Sequence, residues 1–147
     1  IYKGLFLAES LSLFYPDLVD ERFESRVAIF HQRYSTNTFP QWWLAQPFRC
    51  LAHNGEINTI RGNKNWMKSH EIKMASLAFG EQSEEIKPVI PAGASDTAAL
   101  DAVFETIVRS GREAPTAKLM LVPEAWAFEP EMPPAHLAMY QYFASVM

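Results

Sequence analysis

The sequence predicts an α+β fold, because its strand patterns come mostly early in the chain and its helix patterns come later. Three stretches rich in β-formers or other apolar residues, 2–8, 27–35 and 48–54, are typical of strands. Strong helix patterns occupy 96–111 and 135–147. Since strands and helices are largely segregated, a layered α+β arrangement fits better than a strict βαβ alternation.

The clearest predicted helix is 96–111. Its apolar residues recur at i, i+3, i+4, i+7 and i+8, and Gly111 ends the run. Ser95 is predicted to cap this helix, because a serine hydroxyl accepts an orphan backbone N–H at a helix start. A second helix-compatible stretch, 63–79, is predicted to stop at Gly80. The recurring apolar residues of the first helix are Leu100, Val103, Phe104, Ile107 and Val108.

Three further segments complete the predicted organisation. Residues 81–95 are acidic at first and rich in Pro and Gly later, which indicates a surface connection. Residues 116–122, TAKLMLV, are predicted as a fourth strand. The helix predicted at 135–147 is entered through proline, which the first turn of a helix tolerates.

Composition limits the classes of protein that this chain can belong to. With 147 residues, 48% of them hydrophobic and 13% aromatic, the chain is long and apolar enough for one globular domain. A net charge of -4 argues against nucleic-acid binding, and no apolar run approaches the ~20 residues of a membrane span. A single cysteine allows no internal disulfide. We therefore predict a cytoplasmic domain with neither nucleic acid nor membrane as a partner.

The segment 48–58 places polar residues where an apolar run ends. Asn54 and Gly55 follow Leu51 and Ala52 with only His53 between. One interpretation is a hairpin, because Asn-Gly between apolar runs favours a tight primed turn. The other is that the Asn54 amide and the unshielded Gly55 backbone N–H converge on a developing oxyanion. This segment alone leaves both open.

Two charged residues elsewhere suit the two ends of an amino acid. Arg33, in HQRYSTNT (31–38), offers a two-pronged donor that matches a carboxylate, although a surface ion pair explains it equally well. Asp96 begins the helix 96–111, where it either complements the helix dipole or accepts an ammonium group. Together with Asn54, these residues describe a site for an amino acid whose side-chain carbonyl is attacked.

Other reactive side chains do not form a recognisable site. Cys50 and His53 are an odd number of residues apart, so on a strand they point to opposite faces, and Cys50 is interpreted as a packing residue. The four histidines are scattered and lack a cysteine cluster, so no metal is expected. No phosphate-loop spacing is present around Lys64.

Four stretches, HQRYSTNT, LAQPF, LAHNGEIN and GASDTAALD, resemble the glutaminase domain of class II glutamine amidotransferases. The sequence of residues 30–66 is similar to that of the glutamate synthase branch of the family. The resemblance implies an α+β fold, a four-layer αββα sandwich of the N-terminal-nucleophile hydrolase type. It also implies that Arg33 binds the glutamine α-carboxylate, that Asp96 binds its α-amino group, and that Asn54 with Gly55 forms the oxyanion hole. Thr36 falls in the same substrate loop.

The resemblance carries further expectations about the parent protein. The chain is expected to be an interior portion, 1–147, of a single glutaminase domain whose nucleophilic cysteine precedes Ile1, so that the fragment alone is inactive. The parent is expected to hydrolyse L-glutamine to glutamate and ammonia for reductive transfer to 2-oxoglutarate. No cofactor is expected in this chain, whereas the synthase domains are expected to carry FMN and an iron-sulfur cluster and to take electrons from a small subunit or ferredoxin. The alternative is a noncatalytic amino-acid-binding module.

Overall fold

A computed structural model describes residues 1–32 and 39–146 of the chain. Within these ranges the helices are Leu11–Phe14 (α1), Ile60–Glu71 (α2), Asp96–Arg109 (α3), Ala114–Leu121 (α4) and Pro134–Val146 (α5). Short 3-10 turns lie at Ala8–Ser10, Pro16–Val19, Trp42–Leu44, Gly80–Glu84 and Trp126–Phe128. These described ranges contain no β-strand. The chain divides into two units, Ile1–Gly55 and Glu56–Met147.

Lys3 organises the first unit through its side chain. Its ammonium group donates to the carbonyl oxygens of Trp43 at 3.1 Å and Ala45 at 3.0 Å, and it lies 4.9 Å from the centre of the buried Phe48 ring. The Tyr15 hydroxyl donates to the Lys3 carbonyl at 2.7 Å. A cation that is half removed from water needs such oxygen and ring partners, so Lys3 fixes the start of the chain against the loop at 43–48.

The second unit is built around α3, and here the sequence prediction is confirmed. The helix begins at Asp96, and the Ser95 hydroxyl accepts from the backbone N–H of Ala98 at 3.2 Å, as expected for an N-cap. Gly111 follows the helix with φ of 105°, a conformation that favours glycine at a helix end. The first turns of α3 are the most deeply buried, with Ala99 only 1% exposed.

Helices α4 and α5 complete the core of this unit. Helix α4 packs against both α3 and α5. Its inward face carries Ala117, which is fully buried, and Met120. Tyr140 of α5 is 2% exposed and is the largest fully buried side chain among the described residues. The predicted helix 135–147 is thus confirmed as Pro134–Val146, with prolines before and at its start.

The strand predicted at 116–122 is wrong, because these residues lie mainly in α4. A short apolar run cannot be assigned to helix or strand by periodicity alone. Here Ala, Lys, Leu and Met are all good helix formers, and Pro115 occupies the first turn, where its fixed φ favours helix initiation. Local propensity therefore decides in favour of the helix.

The strands predicted at 2–8 and 48–54 are also absent, and 27–32 is irregular, while 33–35 lies outside the described residues. A strand is stabilised by pairing with a neighbouring strand. In the segment 48–54, backbone N–H groups instead form hydrogen bonds within a turn or with a side chain. The Phe48 N–H donates to the Leu51 carbonyl at 2.8 Å, and the His53 N–H donates to the side chain of Gln46 at 3.3 Å.

The helix predicted at 63–79 is shifted towards the N-terminus and ends before Gly80. Helix α2 starts at Ile60 and stops at Glu71, whose carboxylate accepts from the backbone N–H of Val89 at 2.7 Å. Ser76 also competes with helix continuation, because its hydroxyl accepts from the Ala78 N–H at 3.2 Å. Gly80, with φ of 53°, opens the 3-10 turn Gly80–Glu84, which continues into the segment 81–95 that was predicted as a connection.

Candidate functional site

Asp96 is held at the start of α3 by two backbone amides. One carboxylate oxygen, Oδ1, accepts from the Thr97 N–H at 2.7 Å, and the other, Oδ2, accepts from the Ile57 N–H at 2.7 Å. The first contact shows that Asp96 does help to cap the helix. A carboxylate has about four lone-pair positions, so these contacts leave capacity for a further donor such as an ammonium group.

The Asp96 side chain also borders a cavity of the second unit. The cavity has a volume of about 510 Å³ and is lined mainly by apolar residues of α2, α3, α4 and α5. Asn63 and Lys64 are polar residues of the same lining, and the Lys64 ammonium donates to the Ala94 carbonyl at 2.8 Å. A few oriented polar groups on an otherwise apolar wall are typical of small-molecule sites.

Asn54 belongs to the first unit, where His31 fixes its side chain. Nε2 of His31 lies 3.1 Å from Oδ1 of Asn54. Because an amide oxygen only accepts hydrogen bonds, the imidazole N–H donates to it. The Asn54 side chain is exposed, so its amide nitrogen retains two donors for another partner.

Gly55 follows Asn54 in an irregular segment and not in a hairpin. The flanking residues are not in strands, and positive φ angles among the described residues occur at Thr59, Gly80, Gly93 and Gly111. The hairpin interpretation is therefore wrong, because a primed turn requires positive φ. A Cβ added at Gly55 would lie 3.2 Å from Cε1 of His53, so the absence of a side chain keeps this short segment uncrowded.

Two of the predicted substrate residues, Arg33 and Thr36, lie outside the described residues, and their roles stay predictions. Asn54 and Gly55 fall in the first unit and Asp96 in the second. The role of each as a substrate or oxyanion contact is therefore a proposal based on its own local geometry.

Three other features of the described residues bear on the site. Cys50 is exposed, so the interpretation of this thiol as a buried packing residue is wrong. Within 1–32 and 39–146, no group of three or more His, Cys, Asp or Glu side chains is arranged to hold a metal ion. No helix in the same ranges has the length and apolar composition needed to cross a bilayer.

The contacts that sequence reasoning missed all join residues far apart in the chain. The motifs predict roles for Asn54 and Asp96 but none for His31 or the backbone of Ile57. His31 opens the same HQRYSTNT stretch that contains Arg33. The position of His31 near Arg33 was a sequence signal for a role at the site, but its contact with a residue 23 positions away cannot be derived from local patterning.

Comparisons with known proteins agree with the motifs. The family model for class II glutamine amidotransferases matches residues 1–147, and the chain therefore belongs to this family. The chain is 63% identical over 147 residues to the glutamate synthase (NADPH) large chain of Azospirillum brasilense, and the match covers 100% of this chain. It is 46% identical over its whole length to the corresponding large chain of Bacillus subtilis.

Plant relatives match over the same span. A ferredoxin-dependent glutamate synthase of Arabidopsis thaliana is 46% identical over 150 aligned residues. The chain spans about a tenth of the length of these relatives, 10% of the two bacterial large chains and 9% of the plant enzyme. Membership of the family implies an N-terminal-nucleophile hydrolase fold.

Proposed function

We propose that this chain is an interior portion of the glutaminase domain of a glutamate synthase. In this proposal the parent enzyme hydrolyses L-glutamine to glutamate and ammonia, and its synthase domains transfer the ammonia reductively to 2-oxoglutarate. The observation that carries the proposal is the family match over all 147 residues, which includes every predicted site residue.

The proposed binding roles follow from the charges of glutamine. The guanidinium of Arg33 pairs with the α-carboxylate through two parallel hydrogen bonds. The carboxylate of Asp96 pairs with the α-ammonium group, and the two backbone amides at 2.7 Å hold that carboxylate in one orientation. Thr36 contributes a hydroxyl from the same segment as Arg33. The ligand is thus selected at both ends of its amino-acid moiety.

The proposed catalytic role of Asn54 and Gly55 is to stabilise negative charge. When a nucleophile attacks the side-chain amide carbon of glutamine, the carbonyl oxygen becomes an oxyanion. The Asn54 Nδ2–H and the Gly55 backbone N–H donate to that oxygen. The proton lost by the nucleophile passes to the amide nitrogen, so the tetrahedral intermediate collapses with release of ammonia, and water then cleaves the acyl–nucleophile bond to give glutamate and the regenerated nucleophile. Asn54 and Gly55 transfer no proton in these steps.

The proposal also extends to the parent's architecture and partners. We propose that the glutaminase domain is a four-layer αββα sandwich and that the synthase domains carry FMN and an iron-sulfur cluster. The donor set of this chain does not fit such a cluster, because clusters are held mainly by several cysteine thiolates and the chain has one cysteine. Electrons come from a small subunit or ferredoxin, and the enzyme works in the cytoplasm.

The proposed function is tested by measuring ammonia release from L-glutamine by the purified full-length protein. We expect glutamine-dependent ammonia release and, with 2-oxoglutarate and a reductant, formation of two glutamates per glutamine. The noncatalytic alternative predicts saturable glutamine binding in calorimetry with no ammonia. Binding without turnover would overturn the enzymatic proposal.

Replacing Arg33 by lysine in the full-length protein should mainly raise the KM for glutamine. A lysine keeps the charge but cannot reproduce the bidentate contact, and that contact is made equally in ground and transition states. Steady-state kinetics should therefore show a higher KM with kcat little changed. Arg22→Lys is a matched control, because Arg22 is 89% exposed in its side chain and pairs locally with Asp20. A KM that Arg33→Lys leaves unchanged would refute the carboxylate role.

Replacing Cys50 by serine in the full-length protein should leave glutaminase activity unchanged. Cys50 is exposed, but the family mechanism assigns the attack to an N-terminal cysteine, and exposure alone does not make a thiol a nucleophile. Alkylation by a reactive glutamine analogue, followed by peptide mass mapping, should label a different cysteine. Labelling of Cys50 that is lost together with activity in Cys50→Ser would show that the nucleophile has been misassigned.

A further inference from the structure

The contact between His31 and Asn54 is unusual because it joins a ring nitrogen to the oxygen of a proposed catalytic amide. The two side chains come from segments 23 residues apart, and their atoms Nε2 and Oδ1 lie 3.1 Å apart. His31 is half-buried and Asn54 is exposed. The contact thus engages the Oδ1 atom of Asn54, while the Nδ2 atom of the same amide is available to solvent or a ligand.

The direction of this hydrogen bond fixes the direction of the amide. An asparagine side chain carries an acceptor oxygen and a donor nitrogen on the same carbon. In the Nε2–H tautomer of His31, which donates to Oδ1, rotation of the amide by half a turn would set two donors against each other, and only a change to the other tautomer would accommodate the rotated amide. Such a rotation loses a hydrogen bond and adds repulsion, so one orientation of Nδ2 is selected.

We infer that His31 is a positioning residue for the oxyanion hole, which aims the Nδ2–H of Asn54 at the glutamine carbonyl oxygen. This inference rests on the proposed function. A preorganised donor acts without reorganising during the reaction, whereas a freely rotating amide presents its oxygen to the oxyanion for part of the time. In this role His31 acts through Asn54 and takes no direct part in the reaction.

A proton-transfer role for His31 predicts different behaviour. A general base needs an unprotonated ring nitrogen facing the substrate, and Nε2 of His31 is already engaged with the Asn54 oxygen, so this nitrogen does not serve as the base. The Nε2–H is present in the neutral tautomer that this contact selects and also in the imidazolium. Because a positioning role transfers no proton, it leaves the shape of the pH–rate profile unchanged.

The experiment uses the full-length protein with His31→Phe, which keeps a ring but removes the N–H, and His31→Gln, which restores an N–H donor. His31→Ala serves as a second donor-free variant, and thermal unfolding is recorded for each. Asn54→Ala and the double variant His31→Phe/Asn54→Ala complete a double-mutant cycle. His136→Phe is the matched control, since His136 is an exposed residue of α5. Ammonia release gives kcat and KM for glutamine at several pH values.

We expect His31→Phe to lower kcat by about 10- to 100-fold, the scale of a misplaced catalytic group, with KM nearly unchanged. His31→Gln should recover most of the loss, and the double variant should be no slower than Asn54→Ala. The shape of the pH profile should be the same as in the wild type.

Three outcomes would overturn the positioning role while leaving the proposed function in place. These are a wild-type kcat in His31→Phe, a loss in the double variant equal to the product of the two single losses, and disappearance of one limb of the pH profile. A wild-type protein that releases no ammonia would instead contradict the proposed function itself.

Discussion

Replacing Asn54 by alanine in the full-length protein should lower kcat for glutamine hydrolysis by about 10²–10³, the loss seen when one oxyanion donor is removed. The KM for glutamine should change little, because the donor acts on charge that develops only in the transition state. The Asn54 side chain is exposed, and its hydrogen bond to His31 is a surface contact. The folded protein should therefore be retained.

Two further variants separate the donor role from crowding. Asn54→Asp keeps the shape and the acceptor for His31 but replaces the donor by a negative charge, so it should be at least as slow as Asn54→Ala. Gly55→Ala would bring a Cβ to 3.2 Å from Cε1 of His53, a flexible neighbour, and should have a smaller effect. A steady-state turnover in Asn54→Ala equal to that of the wild type would exclude Asn54 from the oxyanion hole.

The parts of the fold that local sequence determines were predicted correctly. Helix α3 was recognised from its apolar spacing, its serine cap and Gly111, and all three are observed. Each of these signals acts within one or two helical turns. The burial pattern was less predictable, because Thr97 and Asp101 are buried alongside Ala98 and Ala99. The apolar spacing indicates one buried face, but the polar residues that are buried beside it depend on the elements that pack against the helix.

The strand predictions were wrong, for one local reason and one long-range reason. Residues 116–122 have enough apolar character for a strand, yet their helix propensity and Pro115 produce α4. The segments 2–8 and 48–54 have strand-like composition, but composition alone does not specify a pairing partner. In the described residues, backbone groups of these segments form hydrogen bonds with side chains and within turns. The Lys3 carbonyl, for example, accepts from the Tyr15 hydroxyl.

The candidate site likewise combines residues that local motifs predict with contacts that local motifs do not predict. Short motifs predict the roles of Asn54, Gly55 and Asp96, because each motif contains its hydrogen-bond donors or acceptors within a few residues. The supporting contacts of these residues cross 23 and 39 residues, from His31 to Asn54 and from Ile57 to Asp96. Such contacts follow from the path of the chain, which local patterning does not encode.

Asp96 gives the second large expected effect, and its local contacts determine which substitution is informative. Alanine would remove the charge and both backbone contacts together, the Thr97 N–H and the Ile57 N–H. Asparagine retains one acceptor oxygen at the helix start but carries no charge. Asp96→Asn therefore isolates the ionic role more cleanly, at the cost of one hydrogen bond and of a contact between the new amide N–H and a backbone N–H, together about 1–3 kcal/mol.

Ser95→Ala is the matched control for that structural loss. The Ser95 hydroxyl caps the same helix through the Ala98 N–H, and losing an N-cap costs about 0.5–2 kcal/mol of stability. This variant removes no charge from the cavity that Asp96 lines. Ser95→Ala and Asp96→Asn should thus have similar unfolding temperatures, and any difference in glutamine kinetics between them reports on the carboxylate.

With stability matched in this way, Asp96→Asn should lower kcat/KM for glutamine by about 30-fold, because Asp96 is half-buried and losing one partner of a charge pair then costs about 2 kcal/mol, the lower end of the range for buried pairs. The loss should appear mainly in KM, since the α-ammonium group is distant from the reacting amide. The sharper measurement compares glutamine with its analogue that lacks the α-amino group. The wild type should strongly prefer glutamine, and Asp96→Asn should lose most of that preference by slowing glutamine alone. If Asp96→Asn keeps the wild-type preference, the carboxylate serves only to cap α3 and bind the Ile57 amide, and the ammonium group is recognised elsewhere.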